Sequence, residues 1–155
     1  MKAHAISEHV HVLHADIETD DLFEGIWPIP HGVSLNCYVV KGEKTALVDL
    51  VRDWSEAPTR LEEELASVGV AWGDVDYLIL NHLEPDHTGW LAEFRALNPK
   101  AEILATAKGL ELVRNFYKIE EGVRAVKSGD TLDLGKGLVL SFHEKIGRAS
   151  CRERV

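Results

Sequence analysis

Four residues near the middle of the chain concentrate groups that bind metals. His82, Glu84, Asp86 and His87 fall within the string Asn81-His82-Leu83-Glu84-Pro85-Asp86-His87. Two imidazoles and two carboxylates make a hard-to-borderline nitrogen and oxygen donor set. Such a set suits iron or manganese, whereas structural zinc sites usually draw on thiolates. In an extended segment alternate side chains share a face, so His82, Glu84 and Asp86 are expected to point together. Pro85 favours that geometry, because the residue before a proline is pushed towards extended conformations. His87 breaks the alternation and reaches the same space from a second direction. With 8 histidines and 26 acidic residues in 155, the bare pattern arises by chance about once in a hundred such chains. The ordinary competing reading is a polar turn whose carboxylates cap the next helix.

The flanking residues supply the frame. Residues 77–80 are apolar, as a buried central strand should be. The donor loop thus leaves the carboxyl end of a core strand, where ligand groups gather in α/β sheets. Thr88-Gly89 opens a helix with Trp90, Leu91, Phe94 and Leu97 on one face, ended by Asn98-Pro99. Upstream, residues 9–13 alternate as an edge strand and residues 16–30 read as a loop. Residues 33–40 and 45–50 are apolar runs joined by the hairpin signal Lys41-Gly42-Glu43-Lys44. Ser55 is expected to cap a helix with Pro58 in its first turn, Leu61, Leu65 and Val68 inward, and Gly69 as its stop. Downstream come a strand at 101–106 and a helix at 108–117 with a stripe of Leu110, Val113 and Phe116 or Tyr117. Residues 123–142 then make two or three strands. Strands first, then strands alternating with helices, predict a mixed α/β layered domain.

Composition narrows the function classes. The chain has 155 residues, 45% of them apolar and 28% charged, the profile of one ordinary globular domain. A net charge of −9 makes nucleic acid and anionic lipid poor partners. The apolar runs are far shorter than a membrane span, and no apolar signal region follows the first residues, so a cytoplasmic protein is expected. Cys37 and Cys151 read as reduced thiols and not as a disulfide framework. The charge is uneven: three arginines and one glutamate give residues 146–155 a charge of +2, leaving −11 on the other 145. That tail has no helical or strand periodicity, and it resembles the translation of a short-read sequencing adapter. Residues 1–145 are therefore expected to be native and 146–155 to be read-through, with the natural chain continuing past Lys145. The competing reading is a basic tail that binds an acidic partner.

His82-x-Glu84-x-Asp86-His87 is similar to the first metal motif of the metallo-β-lactamase superfamily, His-x-His-x-Asp-His, with Glu84 where the second histidine usually stands. That replacement, within Asn81 to Gly89, resembles the flavodiiron proteins. The strings His31-Gly32-Val33-Ser34-Leu35-Asn36-Cys37-Tyr38, Lys108-Gly109 and Val126-Lys127-Ser128-Gly129-Asp130-Thr131-Leu132 extend the resemblance over residues 6–143. It implies the N-terminal part of a metallo-β-lactamase-like αββα sandwich, incomplete here. It also implies a non-haem diiron site at which His82 and Glu84 bind one iron and Asp86 and His87 the second. Another histidine, a bridging aspartate and a last histidine would complete that site further along the chain. The implied activity is reduction of dioxygen to water, of nitric oxide to nitrous oxide, or of both. Electrons would come from FMN in a C-terminal flavodoxin-like domain, fed by a rubredoxin-like or flavin-reductase donor, in a head-to-tail homodimer. The chain on its own is expected to be inactive. Two rivals remain: a diiron oxygen sensor or carrier without a flavin domain, and a zinc-dependent hydrolase of the same fold.

Other residues invite roles. His31 borders the Gly32 turn and could stand behind the metals as a hydrogen-bond donor. Trp27, Pro28, Pro30 and Trp90 could wall a dry pocket for a small apolar gas, with a core or surface place as the competing reading for each. His9-Val10-His11 looks like a metal pair, but strand alternation explains it. Cys37 is read as a small core residue, and His143 as exposed.

Overall fold

The computed structural model describes residues 2–18, 22–23 and 25–144. The basic tail at 146–155, with Cys151, lies outside the described residues, as do parts of the 16–30 segment. The chain begins with β1 (His4–Ala5) and β2 (Val10–Ile17), then a small hairpin of β3 (Leu22–Phe23) and β4 (Trp27–Pro28). Next come β5 (Val33–Lys41), β6 (Thr45–Val48), helix α1 (Ala57–Ser67) and β7 (Tyr77–Ile79). The one-turn helix α2 (Pro85–Thr88), helix α3 (Leu91–Leu97), β8 (Glu102–Ala105) and helix α4 (Ala107–Leu112) follow, and β9 (Val123–Ala125), β10 (Thr131–Asp133) and β11 (Val139–Ser141) close the described chain.

Among the described residues, seven strands form one mixed sheet in the order β1-β2-β5-β6-β7-β8-β9. Pairing is antiparallel from β1 to β6 and parallel from β6 to β9. Each parallel step needs a crossover, and α1, α2 with α3, and α4 fill the three crossovers in turn. Strand alternation separates two cores. Leu47, Leu78 and Ile103 pack with Leu61, Leu65, Leu91, Phe94 and Leu110 on the helical face. Ala46, Ile79 and Leu104 face the other way, against Leu132 and Leu134 of the β10–β11 region. The protein is thus a helix layer, a mixed sheet and a β-hairpin on the far face. No helix among the described residues is long and apolar enough to cross a membrane.

Most predicted elements lie where expected, and the differences have local causes. β2 runs on to Ile17 because Leu13, Ala15 and Ile17 continue the alternation and are fully buried. It is not the edge strand, since β1 pairs outside it. Ser55 does not cap α1: Ser55 and Glu56 both take left-handed backbone angles (φ 49° and 61°), and no side chain caps the helix. The helix stop at Gly69 (φ 71°) holds, with Gly69 N–H bonded to Ala66 O at 2.9 Å and Val70 N–H to Leu65 O at 3.0 Å, the Schellman pattern. After α4 the chain widens into a π-helical turn at Val113–Tyr117, which turns Tyr117 inward and leaves Phe116 75% exposed. β6 ends at Val48 instead of running on to Leu50, because Asp49 adopts φ 61° and turns the strand away.

That turn sends residues 49–52 across the loop that follows β7. Gly89 permits the contact: a Cβ there would lie 2.7 Å from Pro85 O and 3.2 Å from Arg52 Cα. Gly89→Ala is expected to destabilise the chain by about 1–3 kcal/mol, the scale of overpacking, with the loss read from urea unfolding. An unchanged midpoint would show that the two segments are not locked together.

Candidate metal centre

The donor loop is built by one proline acting in two directions. Glu84 is extended (φ −68°, ψ 146°) while Pro85 opens α2, because proline disfavours helix in the residue before it and suits the first helical position itself. Alternation therefore carries His82 and Glu84 but not Asp86. Asp86 and His87 belong to the first turn of α2 and reach the site by helical rotation, which corrects the expectation of an extended segment up to residue 87. The side chains converge nonetheless. Ligand atoms of His82, Glu84 and Asp86 lie within 4.8 Å of one another, and so do those of Asp49, His82 and His87. His82 Nε2 is 3.8 Å from Glu84 Oε2 and His87 Nε2 is 3.5 Å from Asp86 Oδ2. The two imidazole rings are 4.2 Å apart.

Asp49 is the residue that the sequence did not announce. Its carboxylate, 6% exposed, accepts the Asn81 N–H at 2.7 Å through Oδ1 and brings Oδ2 to 4.0 Å from His87 Nδ1. Around it the backbone closes a ladder. Asp49 N–H donates to Ile79 O at 2.8 Å, Leu50 N–H to His87 O at 3.0 Å, Arg52 N–H to Asp86 O at 3.0 Å, and Trp90 N–H to Val51 O at 3.0 Å. Beneath, the buried Cys37 thiol donates to Leu50 O at 3.0 Å, which fits its reading as a small core residue. A lone acid ending the run Ala46-Leu47-Val48 was the available signal for Asp49.

The electrostatics suit a cation. Burial pushes the Asp49 carboxyl above its ordinary range, opposed by the Asn81 N–H and the nearby imidazoles. Burial, then the neighbouring His82, holds His87 below the usual histidine range, so at neutral pH it presents a neutral imidazole, the form that binds metals. Two buried atoms, Asp86 Oδ1 and His87 Nδ1, have no hydrogen-bond partner. Buried polar atoms are rarely left so, and the nitrogen and oxygen donors around them fit a hard or borderline metal ion.

His31 is exposed in the turn before β5. Trp27 is 53% exposed on the β3–β4 hairpin. Trp90 is half-buried and packs on Trp72 with ring centroids 4.9 Å apart. His9 turns its Nδ1 to Lys41 O at 3.0 Å, and His143 is exposed.

Comparison with known proteins identifies the family of the fold. Residues 32–146 match the Metallo-beta-lactamase superfamily. The chain is 38% identical over 124 residues to the flavo-diiron protein FprA2 of Clostridium acetobutylicum, covering 78% of this chain and 30% of that protein. It is 35% identical over 130 residues to an anaerobic nitric oxide reductase flavorubredoxin of Salmonella arizonae, covering 83% of this chain and 26% of that protein. The rubredoxin oxygen:oxidoreductase of Desulfovibrio gigas superposes with a TM-score of 0.82 at 31% identity, over 92% of this chain and 35% of that one. The chain thus spans about a third or less of the length of these relatives. Its helix layer, mixed sheet and opposing hairpin are the metallo-β-lactamase-like α/β layering that its motifs implied. By a match over most of its length, the chain belongs to the metallo-beta-lactamase superfamily, and the relatives that it matches are flavodiiron proteins.

Proposed function

We propose that the chain supplies the first four ligands of a non-haem diiron site in a longer flavodiiron oxidoreductase that reduces dioxygen, nitric oxide or both. The observation that carries this reading is the convergence of His82, Glu84, Asp86 and His87 around two buried, unpartnered atoms, Asp86 Oδ1 and His87 Nδ1. His82 and Glu84 would hold one iron, Asp86 and His87 the other. Two irons held there would supply redox chemistry towards a small diatomic gas. The protein's own part is to orient and to exclude. His87 stays neutral, Asp49 stands behind it, and the 49–52 segment keeps solvent from the rear of the site. Glu84 adds a negative charge where an imidazole would add none, which favours the oxidised iron pair and opposes a plain zinc hydrolase.

The other ligands, and FMN, belong to parts of the longer protein that this chain does not span. A rubredoxin-like or flavin-reductase donor would feed the flavin, in a cytoplasmic head-to-tail homodimer. Residues 146–155 are taken as read-through, and the chain alone is inactive. The complete gene product, purified without oxygen, should carry FMN and about two irons per chain, as two-metal sites require, and should consume O2 or NO when reduced. Reversible O2 binding without turnover would instead make it a sensor or carrier. Zinc with hydrolase activity would sink the proposal.

Two variants test the roles within the site. Asp49→Asn, which keeps the size and removes the charge, is expected to weaken Fe2+ binding about 10-fold to 100-fold, the effect of losing an outer-shell partner. Glu84→His is expected to shift the metal content of the complete protein from iron towards zinc when both are supplied equally, as read by elemental analysis. An unchanged iron-to-zinc ratio would show that Glu84 has no part in the choice.

A further inference from the structure

We propose that Tyr117 is a positioning residue for the metal loop, its phenol locking the backbone of Glu84 through the hydroxyl of Thr88; this rests on the diiron reading above. Three observations carry it. Glu84 has the most open side chain of the four proposed ligands, 42% exposed against 18% for His82 and 17% and 11% for His87 and Asp86. Side-chain packing therefore holds it least, and its place depends on its backbone.

That backbone is held at one atom. The Glu84 carbonyl accepts His87 N–H at 3.0 Å, Thr88 N–H at 3.1 Å and the Thr88 hydroxyl at 3.1 Å. Thr88 is fully buried, and its Oγ1 also lies 3.4 Å from Leu83 O and 2.8 Å from Tyr117 Oη. Carbonyl oxygens only accept. The single Thr88 hydroxyl proton is thus committed to the loop carbonyls, and the Tyr117 phenol must donate to Thr88 Oγ1. The chain of donors runs one way, from Tyr117 to Thr88 to Glu84.

The third observation is how Tyr117 gets there. It ends the π-helical turn Val113–Tyr117, closed by Lys118 in a left-handed conformation (φ 57°). Such turns are rare in helices and concentrate at functional sites. This one carries Tyr117 inward to Thr88 while the adjacent Phe116 stays in solvent.

The test uses the 155-residue chain with Co2+ as the metal probe, together with hydrogen exchange of individual amides. Tyr117→Phe removes only the phenol oxygen. It is expected to speed exchange of the His87 and Thr88 amides about fivefold, the scale of one neutral hydrogen bond. It should weaken Co2+ binding about threefold to tenfold, less than loss of a direct ligand partner. Thr88→Val should do at least as much, Thr88→Ser should restore wild-type behaviour, and the double variant Tyr117→Phe with Thr88→Val should match Thr88→Val alone. Wild-type exchange and affinity in Tyr117→Phe would overturn the proposal. So would a uniform rise in exchange that includes the β8 amides, because that reports general loosening. Should the wild-type chain take up no Co2+, the diiron reading loses support, while the exchange of His87 and Thr88 still decides for or against Tyr117.

Discussion

A buried carboxylate without a cation beside it fixes most of what surrounds it. Asp49 ends a core strand, bends the chain through a left-handed angle and takes the N–H of Asn81. The bend forces residues 50–52 sideways across the ends of the neighbouring strand and helix, where their N–H groups find the carbonyls of His87 and Asp86. An unsatisfied buried carboxylate is costly, so this chain path and the donor loop are set together. Cys37 from below and Gly89 from the side let the segment lie close, one by donating to Leu50 O and the other by lacking a Cβ.

The sheet explains why the site is where it is. Parallel strands require crossovers, and their carboxyl ends deliver loops to one edge of the sheet. β6 delivers Asp49 and β7 delivers Asn81 to His87. The loop leaving β8 begins α4, with the Thr106 side chain accepting Gly109 N–H at 3.1 Å. α4 then runs into the turn that places Tyr117 against Thr88. Three successive crossovers thus contribute the candidate donors, the carboxylate behind them and the Thr88–Tyr117 contact. The antiparallel half of the sheet contributes the wall on which α1 packs.

The legible parts were those with a local cause. Strands with clean alternation, a helix stopped by Gly69 and candidate donors clustered in one loop all announce themselves within a few residues. Asp49 did not, because an acid after three apolar residues looks like an ordinary strand end, and its partner Asn81 lies 32 residues away. Ser55 looked like a helix cap by type, but two consecutive left-handed residues override side-chain capping there. Pro85 was ambiguous for a physical reason: the same ring that extends Glu84 also starts a helix. His31, beside its glycine turn, is exposed to solvent. The donor cluster was legible because it is short, and the contacts around it were not because they are assembled across the sheet.

The charge balance of the donor cluster favours a cation there. Asp49, Glu84 and Asp86 place three carboxylates around two imidazoles, and among the described residues the basic groups within 4.0 Å of them are His82 and His87. Burial keeps His87 neutral, so it cannot offset the charge that it faces. Protonating the carboxylates would relieve the repulsion, and burial already moves Asp49 in that direction. Cations relieve it better, because they also satisfy the unpartnered oxygen of Asp86 and nitrogen of His87. One divalent ion leaves three carboxylates undercompensated, whereas two would neutralise them. Replacing Glu84 by a neutral imidazole would remove a third of that negative charge, and with it part of the electrostatic pull on a second cation.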